Sequence, residues 1–290
     1  MMAAVDAHDD TIGACLASAT ARLAAVGVPE PRADAEVLLA FVLGLSRTML
    51  FLHARTPLLP AAAQRFDVLL ARRLNREPVF HIIGEREFWS LPFLVDARVL
   101  TPRPETELLV ETACRLAPIA RRVLDAGTGS GCVAVAVAQT LPAAAIWAVD
   151  CSASALVVAG HNCRRHAARI QLVRGDWVTA FRPRTFDLIV ANPPYVRTDE
   201  LTALAPEVRD CEPHAALFAG ADGLDAIRAL LADAARVLVP GGWFVTEIGA
   251  GQGAAVTALA RSWAASANDV RLNLDHAGLD RVVAVRMGGI

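Results

Sequence analysis

The chain has 290 residues, 54% hydrophobic and 20% charged, with 28 basic groups against 30 acidic ones and a formal net charge of -2. Such a balance excludes a disordered chain and any overall field that would recruit a nucleic-acid backbone, and the length fits two domains of ordinary size. The basic residues are all Arg, and the six cysteines are dispersed with no C-x-x-C pair, so neither a metal site nor a disulfide framework is expected.

The first segment, "MMAAVDAHDDTIGACL", has acidic residues where a signal peptide needs positive charge, and no apolar run approaches a membrane span. A cytoplasmic protein is expected. Residues 1–76 predict a small helical bundle. Ile12, Leu16, Leu23 and Val26 recur at helical spacing, "PEPRADAEVLLAFVLGL" starts with prolines, and "PAAAQRFDVLLARRLNREP" stops at Pro78. Residues 77–100 read as a connector, where "IIGEREFWSLPFLVD" (82–96) places two short aromatic and aliphatic runs around Ser90, the pattern of a β-hairpin.

From 101 to 290, β-branched strands alternate with helices. Strands are predicted at 123–126, 145–149, 170–173, 186–191 and 243–248, with a closing pair near 270–274 and 281–287. That alternation implies a parallel sheet covered on both faces, a doubly wound α/β domain.

"VLDAGTGSGCVAVAVA" reads as strand, glycine turn and helix, with Gly127, Gly129 and Gly131 letting backbone approach a ligand. Cys132 stands where the dinucleotide pattern needs its third glycine, which counts against NAD. Asp125 ends the first strand, and Asp150 ends the second in "AIWAVD", where a carboxylate accepts both hydroxyls of a ribose. "RGDWV" puts Asp176 and Trp177 at the end of the third strand, suited to an adenine amine and its ring. These acidic groups suit S-adenosylmethionine, which has a ribose, an adenine and a sulfonium but no pyrophosphate.

At the end of the fourth strand, "FDLIVANPPYVR" runs into two prolines and the sole tyrosine of the chain. Proline fixes φ, restricts the preceding residue and lacks an N–H. The Asn192 side-chain oxygen and the proline carbonyls therefore converge as acceptors, a cradle for a planar NH2 group, with Tyr195 against its face.

Taken with "RRLNREPVFHIIGEREFWSLPF", "LTPRPETELLVE" and "VRDCEPHAALFAGADGL", these motifs resemble the PrmC/HemK family of protein-glutamine methyltransferases over nearly the whole chain. The resemblance implies a helical substrate-docking domain, a hairpin connector and a seven-stranded class I, Rossmann-like, S-adenosylmethionine-dependent methyltransferase domain. It implies methylation of the glutamine side-chain amide nitrogen (N5) in the Gly-Gly-Gln motif of class 1 peptide chain release factors, with S-adenosylhomocysteine as product. Carried over by position, Gly127, Thr128, Gly129, Ser130, Gly131, Asp150 and Trp177 contact the cofactor, and Asn192 contacts both cofactor and substrate. Pro193, Pro194 and Tyr195 complete the glutamine pocket, with Asn192, Pro193 and Tyr195 in the catalytic role. A monomer that binds neither nucleic acid nor membrane is expected. The rival readings are a ribosomal-protein glutamine methyltransferase, an adenine-N6 methyltransferase of nucleic acid, and a ligand sensor without activity; the balanced charge and 6% aromatic content disfavour the second.

Overall fold

The computed structural model describes residues 11–263 and 267–288. Five helices come first: α1 (Ile12–Ala25), α2 (Pro31–Leu43), α3 (Arg47–Leu52), α4 (Pro60–Leu74) and α5 (Val79–Ile83). Their limits follow from local chemistry. Thr11 caps α1 by accepting the Ala14 N–H at 3.3 Å, Pro31 and Pro60 begin α2 and α4, and Gly44 and Gly84 end α2 and α5 in the left-handed conformation. Leu16, Leu23, Leu38, Leu39, Phe66 and Leu70 form their shared core.

The hairpin follows as β1 (Glu85–Phe88) and β2 (Leu91–Leu94), turned by Trp89 and Ser90 at φ +54 and +57. Then come α6 (Glu107–Leu116), β3 (Arg122–Ala126), α7 (Cys132–Thr140), β4 (Ala145–Asp150), α8 (Ala153–Arg165), β5 (Ile170–Arg174) and β6 (Phe186–Ala191). The chain continues with α9 (Pro206–Cys211), α10 (Asp225–Val237), β7 (Leu238–Glu247), α11 (Gly253–Trp263), β8 (Ala267–Leu274) and β9 (Asp280–Met287).

Two compact units result. One is the chain up to Gly84 together with Pro206–Cys211, and the other is Glu85–Ala205 together with the chain from Glu212 onward. Compared with the expected divisions at 76 and 100, the hairpin falls with the sheet. The reason is burial: Phe88 and Phe93 share a core with Leu109 of α6 and Val133 of α7. Helix α9 falls with the first unit, where Glu207 pairs with the buried Arg73 and, at 2.6 Å, with Arg76. Asp34 holds Arg73 from the other side at 2.7 Å, so its buried charge is matched by two carboxylates.

The sheet order is β5-β4-β3-β6-β7-β9-β8. Strands β5 to β7 are parallel, and the closing pair runs antiparallel, β9 against both β7 and β8. Alternation along β6 builds both layers. Leu188 and Val190 face the core with α6 and α7, whereas Ile189 and Ala191 face the core with α10 and α11. Strand β7 begins at Leu238, ahead of its expected start, because a register shift between the Phe186↔Leu238 and Leu188↔Trp243 pairs absorbs Pro240, Gly241 and Gly242. From β3 the chain first builds outward through β4 and β5, then crosses back to β6 on the other side. The loops after β3 and β6 thus leave the sheet at its topological switch point, where open α/β sheets bind ligands. Among the described residues no helix is long and apolar enough to cross a membrane.

Candidate functional site

The loop after β3 is shaped from within. Gly127, Gly129 and Gly131 have φ of +78, +55 and +82, a region that penalises any side chain. The N–H groups of Gly127 and Thr128 both donate to the Val149 carbonyl, at 2.9 and 3.0 Å, and the Gly131 N–H donates to the Thr128 carbonyl at 2.8 Å. Asp125, wholly buried, accepts from the Thr128 hydroxyl at 2.6 Å and from the Ala134 N–H at 3.2 Å, tying the loop to the start of α7. Burial pushes the Asp125 carboxyl up to about 7, its two donors pulling the other way.

Asp150 leaves β4 with both oxygens oriented. Its Oδ2 accepts the Gly129 N–H at 2.9 Å and its Oδ1 the Ser152 N–H at 2.8 Å, leaving further lone pairs for a diol. A Cβ built on Gly129 would meet nothing within 4 Å, so the loop opens onto free space there. On Gly127 the same atom would come within 3.0 Å of the Trp177 ring, which packs over the loop. This donor set bears on the cofactor. The N–H groups of Gly127, Thr128, Gly129 and Gly131 are already spent on protein acceptors, so the loop forms no nest for a pyrophosphate. Backbone, carboxylate and indole fit a nucleoside without phosphates.

Gly131 has a separate duty. A Cβ there would lie 3.2 Å from both the Cα and the Cβ of Ala159, so α8 packs directly on it. Gly131→Ala is expected to cost roughly 1–3 kcal/mol from the backbone conformation, with the clash added, and to lower the melting temperature by several degrees. A thermal melt at matched cofactor concentration checks this; an unchanged midpoint would mean that α8 yields freely.

Asn192 follows β6 and donates through Nδ2 to the Thr106 hydroxyl at 3.1 Å. With Nδ2 so committed, Oδ1 is the end of the amide left to accept from a ligand. Pro193 is buried, and Pro194 and Tyr195 are partly buried. The Tyr195 carbonyl accepts from Gln252 Nε2 at 3.2 Å, and its phenol feels the charge of the buried Glu247. Burial, with the Glu247 charge second, pushes the Tyr195 phenol up to about 12, so it stays a neutral donor.

One cavity of about 250 Å³ gathers most of the expected residues: Gly127, Thr128, Gly129, Ser130, Asp150, Trp177, Asn192 and Pro194 line it, joined by Asp125 and Asp176. Gly131, Pro193 and Tyr195 are outside its wall, Gly131 beneath α8 and Tyr195 packed beside Gly249. Its rim includes Pro102 and Arg103, and Arg103 pairs with the buried Glu212 at 2.6 Å.

Three residues escaped the sequence reading. Asn162 of α8 accepts the Leu94 N–H at 2.8 Å and donates to the carbonyls of Leu94 and Ser130 at 3.0 and 2.8 Å, binding the hairpin to the glycine loop. Thr106 lines the cavity beside Asn192, and Glu247 ends the neighbouring strand β7. The signal for Glu247 was a carboxylate ending an otherwise apolar strand; Asn162 gave none.

Comparison with known proteins finds relatives along nearly the whole chain. The model of the PrmC N-terminal domain matches residues 14–84, and that of the methyltransferase small domain matches residues 104–207. The chain is 47% identical over 274 residues to a release factor glutamine methyltransferase of Cereibacter sphaeroides, covering 94% of this chain and 97% of that protein. It is 45% identical over 266 residues to one of Geobacter sulfurreducens, covering 92% and 93% respectively. The solved hMettl16 catalytic domain, at 15% identity and TM-score 0.55 over 79% of this chain and 84% of that one, shares the fold.

Proposed function

The chain belongs to the family of release factor glutamine methyltransferases, and from that membership we propose that it methylates N5 of the glutamine in the Gly-Gly-Gln motif of class 1 release factors. The methyl donor in this reading is S-adenosylmethionine and the second product S-adenosylhomocysteine. In this reading the protein works in the cytoplasm, as a monomer, on a protein partner rather than on nucleic acid.

The observation that supports the chemistry best is the Asn192 amide, pinned through Nδ2 to Thr106 at 3.1 Å on the wall of the nucleoside-sized cavity. Asp150 would hold the ribose hydroxyls, Trp177 would cover the adenine, and the glycine loop would let the amino-acid tail pass. Bound there, S-adenosylmethionine supplies an electrophilic methyl group on a positively charged sulfur.

The protein's own task is the nucleophile. An amide nitrogen is weak because its lone pair is shared with the carbonyl. Asn192 Oδ1 and the Pro193 carbonyl would each accept one N–H of the glutamine amide, moving electron density back to nitrogen and aiming it at the donor. Because neither Pro193 nor Pro194 has an N–H, this segment offers acceptors without competing donors. Orientation of this kind supplies about 7–11 kcal/mol, against roughly 3–5 kcal/mol for a general base, so positioning dominates.

The deciding experiment is transfer of label from S-adenosylmethionine to purified release factor, with ribosomal protein and DNA as competing acceptors. Label confined to the release factor, and lost when its motif glutamine becomes alanine, is the expected result. Label on ribosomal protein or DNA instead would overturn the proposal.

Tyr195 separates ring from hydroxyl. Tyr195→Phe keeps the ring packed beside Gly249 and gives up only the hydroxyl, an expected loss of about tenfold at most in kcat, while Tyr195→Ala is expected to lose more. Steady-state kinetics of both variants check this, and the reverse order would give the hydroxyl the larger part.

A further inference from the structure

We propose that Gln252 is a positioning residue for the transfer: its carboxamide anchors the backbone just after Pro194 and so aims the acceptors of the Asn192–Tyr195 segment at the cavity. This rests on the reading above, in which those acceptors hold a glutamine amide. Gln252, in the turn before α11, binds the backbone of three separate segments. Its Nε2 donates to the Tyr195 carbonyl after β6 at 3.2 Å and to the Gly223 carbonyl before α10 at 3.3 Å, and its Oε1 accepts the Gly249 N–H after β7 at 2.8 Å. Both amide protons are thus in use. Turning the amide over would set NH2 against N–H and oxygen against two carbonyls, so its orientation is fixed.

The two prolines make such an anchor necessary. Pro193 and Pro194 have no N–H with which to tie the segment down, and their rings fix φ. Peptide planes are rigid, so the direction of the Pro193 carbonyl follows from where the chain is held on either side. On one side Ala191 is paired in β6 with Thr246 of β7, and the Asn192 side chain is held by Thr106. On the other, the peptide joining Tyr195 to Val196 is held at both polar ends, its oxygen by Gln252 and its N–H by the Leu217 carbonyl at 2.8 Å. Gln252 is the only side-chain donor to that oxygen among the described residues.

The packing leaves room for this one side chain. Gly223, at φ +74, passes so close that a Cβ there would collide with the Tyr195 carbonyl oxygen and lie 2.8 Å from Gln252 Nε2. A Cβ on Gly249 would lie 3.0 Å from Gln252 Oε1 and 3.1 Å from the Tyr195 ring. Two glycines therefore let the three segments converge on one carboxamide. Gln252 itself is not part of the cavity wall, so it acts through Tyr195 rather than on either ligand.

The test is single-turnover methylation of purified release factor by the full chain, with donor affinity from calorimetry and stability from a thermal melt. Gln252→Met, of similar length but without the three hydrogen bonds, is expected to lower the rate by about 10- to 100-fold, the cost of a small misplacement at a reacting centre. Kd for S-adenosylmethionine should stay within about twofold. Gln252→Glu keeps an acceptor for Gly249 but loses both donors, and should match it. A double-mutant cycle separates aiming from general support: with Asn192 already alanine, Gln252→Met should cost less than about threefold, because the cradle it aims is already broken. Wild-type rates in both Gln252 variants, or a full repeat of the loss in the Asn192→Ala background, would overturn the inference alone. A collapsed melting temperature or loss of donor binding in both variants would also overturn it, making Gln252 scaffold. No transfer by the wild type would overturn the proposed function, and this inference with it.

Discussion

Asn192→Ala is expected to reduce methyl transfer by about 10²- to 10³-fold, the range for removing one preorganised hydrogen-bonding group at a reacting centre. The substitution deletes the acceptor Oδ1 and leaves the backbone stiff, since Pro193 and Pro194 still fix the segment. Beside it, Thr106 loses the donor now 3.1 Å away but keeps its place in the cavity wall. The cavity wall built by Gly127, Gly129, Asp150 and Trp177 is untouched. Cofactor Kd should therefore move by no more than about twofold while kcat falls, the signature of an interaction realised in the reaction rather than in binding. Single-turnover methylation with saturating release factor measures the step directly, and full activity would remove the acceptor cradle from the mechanism.

Asp150→Ala is the opposite case, with the loss expected in binding. Its carboxylate accepts the N–H groups of Gly129 and Ser152 and is oriented by them toward the cavity. Truncation removes the ribose acceptor and also strands those two donors at the site. Losing one member of a hydrogen-bonded charged contact of this kind costs about 2–5 kcal/mol, so Kd for S-adenosylmethionine should rise by roughly 30-fold or more. Calorimetry with the donor alone measures it. At saturating donor, kcat should recover to within about tenfold, because the Asn192 cradle remains. Asp150→Asn should lie between, retaining an oxygen for Gly129 without the charge. An unchanged Kd in Asp150→Ala would move the ribose elsewhere.

The two variants also divide what was legible along the chain from what was not. Asp150 and Asn192 could be found from sequence because each ends an apolar strand and is followed by residues whose backbone is constrained, Ser152 capping α8 in one case and two prolines in the other. Gly127, Gly129 and Gly131 were legible for the same reason, positive φ being a property of the residue itself. Thr106 lies 86 positions from Asn192, and Glu247 is reached only by pairing β6 with β7. Thr106 had no local signal of a role. The division into units was partly hidden as well. Charge pairing through Arg73 sets α9 among the first helices, and buried phenylalanines set the hairpin with the sheet.

By itself the sequence determined the alternation of strands and helices, the glycine loop, the acidic strand ends and the rigid N–H-free turn. Each of these is set by the φ range or hydrogen-bonding capacity of consecutive residues. Only the tertiary structure decided which loops meet, that the loop N–H groups are spent on Val149 and Asp150, and that Thr106 holds the Asn192 amide. Those are matters of strand register and of hydrogen-bond partners, and both depend on groups that the chain brings together only on folding.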